Sequence, residues 1–304
     1  MRSVAGPVLL MLGAFTALEI SENTTGKDAE PTRQGRSSHE PLSIERLTAP
    51  GIDNFHRLAS GLYSGSQPRD RSSFEALAKL GVKTIVSVDG GNPDASAARD
   101  FGIRTVHLPL GYNGIDTAQS ARLIKAARTL PGPIYIHCRH GQHRGPAAAA
   151  LVAMATEGWT VTQALGWLKT AGTSRDYPGL YNALKMFQIP SNTELTVVPD
   201  DWPDSTEIPM ATQAMLDIDA CWERLKASPN PAVASELVRH YRGLAHAPSF
   251  GEDFHKRLLQ AIDNAEALRE RLEQSPLPLD KADREITLER SGRDCKTCHE
   301  AHRN

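Results

Sequence analysis

Short runs of β-branched and other apolar residues alternate along the first two thirds of the chain with longer stretches whose apolar positions recur every three or four residues. Thr84-Ile-Val-Ser-Val88, Arg104-Thr-Val-His-Leu108 and Ile134-Tyr-Ile-His137 predict buried strands. Between them, segments 74–80, 95–101 and 117–130 carry helical periodicity. Three further helices are predicted over 145–157, 161–171 and 178–187, the last opening on Pro178, a residue suited to a first helical position. Such alternation predicts an α/β unit with a parallel central sheet flanked by helices on both faces. Beyond residue 205 the strand signals stop. Helical stretches over 209–227, 231–245, 250–274 and 281–302 are punctuated by Pro229, Pro231, Pro248, Pro276 and Pro278. Leu258, Ile262, Ala265, Leu268 and Leu272 form one apolar stripe, the pattern of an all-α four-helix bundle with short loops.

A chain of 304 residues is long for one domain, and the breaks in pattern suggest how it divides. Residues 1–20 carry Arg2, an apolar run over 4–18 and a closing Glu19, which is the anatomy of a signal peptide. That run is shorter than the about 20 residues needed to span a bilayer as a helix. The nearest small-x-small triplet is Ala14-Phe15-Thr16, so an uncleaved N-terminal membrane anchor is the alternative to cleavage. Residues 21–45 are polar and without periodicity and read as a flexible linker. The α/β unit occupies 46–190, the proline-rich stretch 191–205 reads as a second linker, and the helical unit occupies 206–304. A formal charge of -2 with dispersed basic residues excludes a general nucleic-acid-binding role.

Candidate chemistry falls in two places. In His137-Cys-Arg-His-Gly-Gln-His-Arg144 a strand runs into a turn and then a helix, which puts Cys138 at the mouth of a helix N-terminus. The backbone amides of Arg139, His140, Gly141, Gln142, His143 and Arg144 can ring a phosphoryl group there, and the helix dipole adds to the attraction. The same field favours a thiolate at Cys138, the nucleophilic form. Arg144 can offer a two-pronged fork to phosphate oxygens, and Gly141 a position where positive φ costs little. A buried structural cysteine is the plain alternative.

These residues resemble the signature His-Cys-x5-Arg of the cysteine-dependent tyrosine and dual-specificity phosphatases, and the likeness extends over about 46–190. Gly61-Leu-Tyr-Ser-Gly-Ser-Gln-Pro68 is similar to that family's early strand and turn, and His107-Leu-Pro-Leu110 to the strand before its general-acid loop. The resemblance implies a phosphocysteine intermediate at Cys138 and transition-state binding by Arg144. Two departures stand out. Gly145 and Pro146 follow Arg144 where the family usually has Ser or Thr, and Asn113 stands where an acid would be convenient. Asp116 is then the candidate general acid, with a competing reading as N-cap of the helix at 117, reciprocated by Gln119. Asp89 is a weaker candidate that also reads as a turn cap before Gly90-Gly91.

The second place is Cys295-Lys-Thr-Cys298-His299, whose two thiols and imidazole would share one side of a helix. Near the end of the last of four helices it resembles cytochrome c prime and related bundle cytochromes. The resemblance implies haem c attached through Cys295 and Cys298, with His299 as proximal iron ligand, and often pairing as a homodimer. Met210 or Met215, on the first helix of the bundle, is the candidate distal ligand, and core filling is the competing reading. Zinc and a redox disulfide are the alternatives for the cysteine pair. Haem of this type is attached outside the bacterial cytoplasm, so the leader and this motif agree on a periplasmic or secreted protein.

Together these readings predict an exported phosphatase acting on a phosphomonoester or phosphoprotein, fused to a haem domain for redox or gas sensing or electron transfer with a redox partner. The rival reading is a haem redox or gas-binding protein whose α/β domain binds an anion or partner without turnover. A sulfur-transfer enzyme is a third, weighed against by the span from Cys138 to Arg144.

Overall fold

The computed structural model describes residues 44–245, 251–274, 288, 289, 292, 293, 297–299 and 301. The predicted leader, nearly all of the 21–45 linker and Cys295 lie outside the described residues, as does most of the predicted last helix. Six strands form one sheet: β1 (Glu45–Arg46), β2 (His56–Ala59), β3 (Leu62–Ser66), β4 (Thr84–Ser87), β5 (Arg104–His107) and β6 (Ile134–Cys138), in the order β1-β2-β3-β6-β4-β5. The strands β3, β6, β4 and β5 are parallel, as expected, but β1 and β2 add antiparallel pairs. The sheet is therefore mixed, which corrects the expectation of a parallel one. Only Ser60 and Gly61 separate β2 from β3, and so short a connection can join antiparallel neighbours alone.

Side chains alternate between two cores. Ile85 of β4 and Tyr135 of β6 join a cluster with Phe74, Leu77 and Ala98 from helices α1 (Arg71–Lys79) and α2 (Ala95–Asp100). Their neighbours Val86 and Ile136 point the other way, into the larger cluster built by α3 (Thr117–Thr129), α4 (Arg144–Thr156), α5 (Val161–Thr170) and α6 (Pro178–Met186). Burial on both faces is why these strands read as mainly apolar runs without a polar face. Helix α4 is buried all round, from Ala147 through Ala153, and its alanines let it lie close against the sheet. Trp167 of α5, wholly buried, donates its Nε1–H to the Pro146 carbonyl at 3.0 Å and so ties α5 to the first turn of α4.

Residues 191–205 run over α3 and reach the β5 edge at Pro203. They form α7 (Asn192–Thr196) and then a strap in which Pro203 O accepts the His107 N–H at 2.7 Å, Val198 O accepts from Lys125 Nζ at 2.5 Å, and Asp201 pairs with Arg122 at 3.0 Å. Next come α8 (Met210–Ala227), α9 (Pro231–Leu244) and α10 (Glu252–Gln274), which share a separate apolar core. The stripe from Leu258 to Leu272 faces that core, together with Ile218, Leu225, Leu237 and Tyr241, and the half-buried Cys298 packs against it.

Candidate active site

The parallel strands deliver their C-terminal ends to one edge of the sheet, where open α/β sheets bind ligands. Ser66 closes β3 opposite Cys138 at the end of β6, and Asp89 stands just past the end of β4. Cys138 is 4% exposed. After it the chain turns through Arg139–His143 and enters α4, whose N-cap His143 makes no side-chain cap. That first turn can present the Arg144 and Gly145 N–H groups to an anion, Pro146 having none.

Hydrogen bonds from outside hold the loop's carbonyls. Gln67 N–H donates to Arg139 O at 3.2 Å, Asn54 Nδ2 to Gly141 O at 2.8 Å, and Thr173 Oγ1 to Gln142 O at 2.6 Å. In a trans peptide the following N–H points opposite to the carbonyl, so the amides of His140, Gln142 and His143 are turned inward. Asn54 itself has φ of 49° and donates also to Ala171 O at 2.8 Å, which fastens the loop to the end of α5. At Gly141, φ is +67°, and an added Cβ would lie 2.4 Å from Gly65 C and 2.5 Å from Ser66 N. Glycine is required twice over, by conformation and by the close approach to β3.

Arg144 is 9% exposed and lies over the Tyr112 ring at 4.6 Å. Its Nη2 donates to Asp89 Oδ2 at 2.7 Å and its Nη1 to Leu110 O at 3.4 Å, while the buried Nε has no hydrogen-bond partner among the described residues. Burial opposes its charge, but Tyr112, Asp89 and Cys138 outweigh that and hold the guanidinium protonated. Asp89, 2% exposed, also accepts the Arg139 N–H at 2.8 Å and the Gly91 N–H at 3.0 Å. Burial pushes its carboxyl up, yet Arg144 and the two amides win, leaving it below the ordinary aspartate range. His137 is wholly enclosed, stacks on Tyr135 at 5.7 Å, and burial lowers it to about 4 against the pull of Asp89.

The structure thus brings together Cys138, Arg139, Gly141 and Arg144, while His140 and Gln142 are exposed and the His143 ring leans at 60° against Tyr177, centroids 4.8 Å apart. Asp116 is exposed and caps α3: its carboxylate accepts the Gln119 N–H at 2.8 Å, and Gln119 returns a bond to its backbone. The loop bearing Asn113 is pressed against α6, where a Cβ at Gly179 would come within 2.3 Å of the Asn113 carbonyl. A Cβ at Gly145 would stand 2.9 Å from Cys138 N and 3.4 Å from its Sγ, so a serine or threonine at that place would require the strand end to move. Sequence reasoning missed Asn54, Thr173 and Gln67, and underrated Asp89. Their bonds to the loop join residues far apart in sequence, and only the asparagine before a strand, a residue type tolerant of positive φ, hinted at a special position.

Helix α8 reaches this site. Arg139 Nε and Asp219 Oδ2 are 2.5 Å apart, and Cβ atoms added at Gly90 and Gly91 would meet Thr212 Cγ2 at 3.0 Å and Leu216 Cδ1 at 2.9 Å. The next turns of the same helix enter the helical core through Ile218, Cys221 and Leu225. Met215 packs against that core, whereas Met210, at the helix start, is 72% exposed. Cys298 and His299 are half-buried.

Residues 57–198 match the family described as Swiss Army Knife protein, DSP-PTPase phosphatase domain (PTP-SAK). The dual specificity protein phosphatases TpbA from two strains of Pseudomonas aeruginosa are 29% and 28% identical over 121 residues, covering 39% of this chain and 55% of theirs. The chain therefore spans about half the length of these curated relatives. A crystal structure of P. aeruginosa TpbA, 24% identical, covers 47% of this chain and 89% of that one with a TM-score of 0.42. A second, of a TpbA variant in complex with pTyr, is 22% identical, covers 49% and 99%, and gives 0.39. Residues 57–198 are thus a cysteine-dependent dual-specificity-phosphatase-like domain.

Proposed function

We propose that the α/β domain hydrolyses phosphomonoesters, phosphotyrosine in a protein among them, through a phosphocysteine at Cys138. The Cys138 thiolate attacks phosphorus, the P–O bond to the ester oxygen breaks, and the leaving alkoxide or phenoxide takes up a proton. Water then attacks the thiophosphate, the S–P bond breaks, and inorganic phosphate leaves. The inward amides and Arg144 stabilise the charge that develops on the phosphoryl oxygens in both steps. One observation carries this reading: the Cys138–Arg144 turn is held from outside by Asn54, Thr173 and Gln67, so that its amides converge on one side with the buried Arg144. The space around Gly145 favours a second reading, an anion binder without turnover, because no hydroxyl stands there to assist the sulfur as leaving group.

The helical region carries, in this proposal, haem c bound through Cys295 and Cys298 with His299 on the iron, and the leader exports the chain to the periplasm. Support comes from Cys298, half-buried against an apolar core on which Met215 and Trp222 also pack, as a large apolar group requires. When bound, the haem supplies a redox-active or gas-binding iron. Met215, on that core, suits a distal ligand better than Met210. Helix α8 would carry any influence of the haem region on the phosphate loop, since Asp219 contacts Arg139 and the next turn enters the helical core.

One assay on the purified full chain tests these readings: phosphomonoester hydrolysis with ferric and with ferrous protein, using Cys138→Ser as the blank. Hydrolysis lost in the variant is expected. Equal rates for variant and wild type would overturn the nucleophile, and inert wild type that still binds phosphate would favour the second reading. Equal rates in the two oxidation states would remove the coupling. A denaturing gel stained for haem reads the attachment directly and must be blank for Cys295→Ser combined with Cys298→Ser.

A further inference from the structure

Three N–H groups converge on the Asp89 carboxylate, and two of them belong to the phosphate loop: Arg139 N–H and Arg144 Nη2, both on Oδ2, with Gly91 N–H on Oδ1. These two loop donors are the kind a phosphoryl group would use. The pair is buried, at 2% exposure for Asp89 and 9% for Arg144, and enclosed ions remain in place only where their hydrogen bonds are met. The guanidinium is met by halves. Its Nη2 is taken by Asp89, whereas the adjacent Nε, the other prong of the same edge, is enclosed and has no acceptor among the described residues. A carboxylate there as a permanent structural partner would be expected to span both prongs. The open one leaves a place for a second anion.

The backbone beneath Asp89 is fixed. His107 Nε2 lies 2.9 Å from Asp89 O, and because a carbonyl can only accept, Nε2 carries the proton and Nδ1 accepts from Thr206 Oγ1 at 2.9 Å. Gly90 and Gly91, which follow, are covered by Thr212 and Leu216. Movement at this point is therefore confined to the side chain.

We propose that Asp89 is a positioning residue that acts as the resident anion of the phosphoryl seat. In the free protein its carboxylate keeps Arg144 and the first loop amide where phosphoryl oxygens will need them, and an incoming phosphate displaces it. This rests on reading the Cys138–Arg144 loop as a phosphoryl seat. The exchange sets a threshold, since a ligand must compete with a carboxylate already bound, and dianionic monoesters meet it better than monoanionic diesters.

Titration calorimetry of the full chain with inorganic phosphate tests the assignment, with Arg144→Ala as the reference for loss of the seat. Asp89→Ala is expected to bind phosphate at least tenfold more tightly than wild type, and Asp89→Glu within about threefold of it, because removing a neighbouring like charge strengthens anion binding. Equal or weaker binding by Asp89→Ala with an unchanged circular dichroism spectrum overturns the proposal, as does absence of phosphate binding in wild type. Should the alanine variant fail to fold, the wild type still decides. The Asp89 carboxyl carbon resonance must shift on phosphate saturation, and an unmoved resonance overturns the assignment. Tighter binding by Asp89→Ala in a chain that hydrolyses no phosphomonoester would keep this assignment and sink the catalytic reading. Hydrolysis by wild type without tightening in the variant would do the reverse.

Discussion

Gly141→Ala tests whether the phosphate loop is seated on β3 as tightly as its backbone contacts require. Two terms oppose the added methyl. A φ of +67° is left-handed, and a Cβ there costs about 1–2 kcal/mol. The methyl would also stand 2.4 Å from Gly65 C, 2.5 Å from Ser66 N and 2.7 Å from Gly65 O. These are backbone atoms of a paired strand that cannot rotate away, so overpacking adds about 1–3 kcal/mol. The sum is a loss of about 2–5 kcal/mol, or escape of the loop from β3 with loss of the Asn54 bond to Gly141 O. Gly158→Ala is the internal control, because φ is +70° there and no described residue lies within 4 Å of the added Cβ, leaving the conformational term alone. Urea unfolding of both variants, followed by circular dichroism, measures the difference from the shift in midpoint at constant slope. If Gly141→Ala loses no more than Gly158→Ala and keeps its phosphate binding, the close packing of loop on strand is wrong.

Two further outcomes are expected. Burial holds His137 at about 4, below its ordinary 6.5, so the unfolded chain takes up a proton before the folded one does. Its contribution to stability is therefore full above pH 6.5 and is lost as pH falls towards 4, by about 3 kcal/mol at 1.36 kcal/mol per unit. Urea midpoints between pH 7 and 4 should fall more steeply for wild type than for His137→Phe, and coincident profiles would show that the imidazole takes up its proton as readily folded as unfolded. Asp116→Asn retains a good N-cap while removing a proton donor. Stability within about 0.5 kcal/mol of wild type and a hydrolysis rate within about threefold are expected, whereas a fall of about 100-fold would identify Asp116 as the general acid.

The elements that were legible are those whose physics is local. Apolar runs at 84–88, 104–108 and 134–137 became β4, β5 and β6 because both faces of these strands are covered, and helices α2 to α6 begin and end within a residue or two of their periodic patterns. The Asp116 and Gln119 cap was legible for the same reason, since its partners are three residues apart. In contrast, Leu62-Tyr-Ser-Gly-Ser66 is fully buried yet has no apolar run, and its pairing with β2 and β6 showed only in three dimensions. The 191–205 segment read as a linker because its binding to His107, Arg122 and Lys125 is made by single groups without periodicity.

By itself the sequence determined the strand-turn-helix at 134–156, with Cys138 and Arg144 at the two ends of its turn and a glycine between them free to take a positive φ, because chain geometry over a few residues decides such features. Tertiary structure alone decided what surrounds them. Asp89 meets Arg144 because β4 lies beside β6, Asn54 meets Gly141 because Asp53 is bonded to the end of β3, which lies beside β6, and Thr173 meets Gln142 because the turn after α5 returns to the loop. Likewise Asp219 reaches Arg139 because α8 folds back over the loop. Such partners are chosen by packing between distant segments, where a few buried charges and amides must be matched, and no periodicity along the chain records which groups will match them.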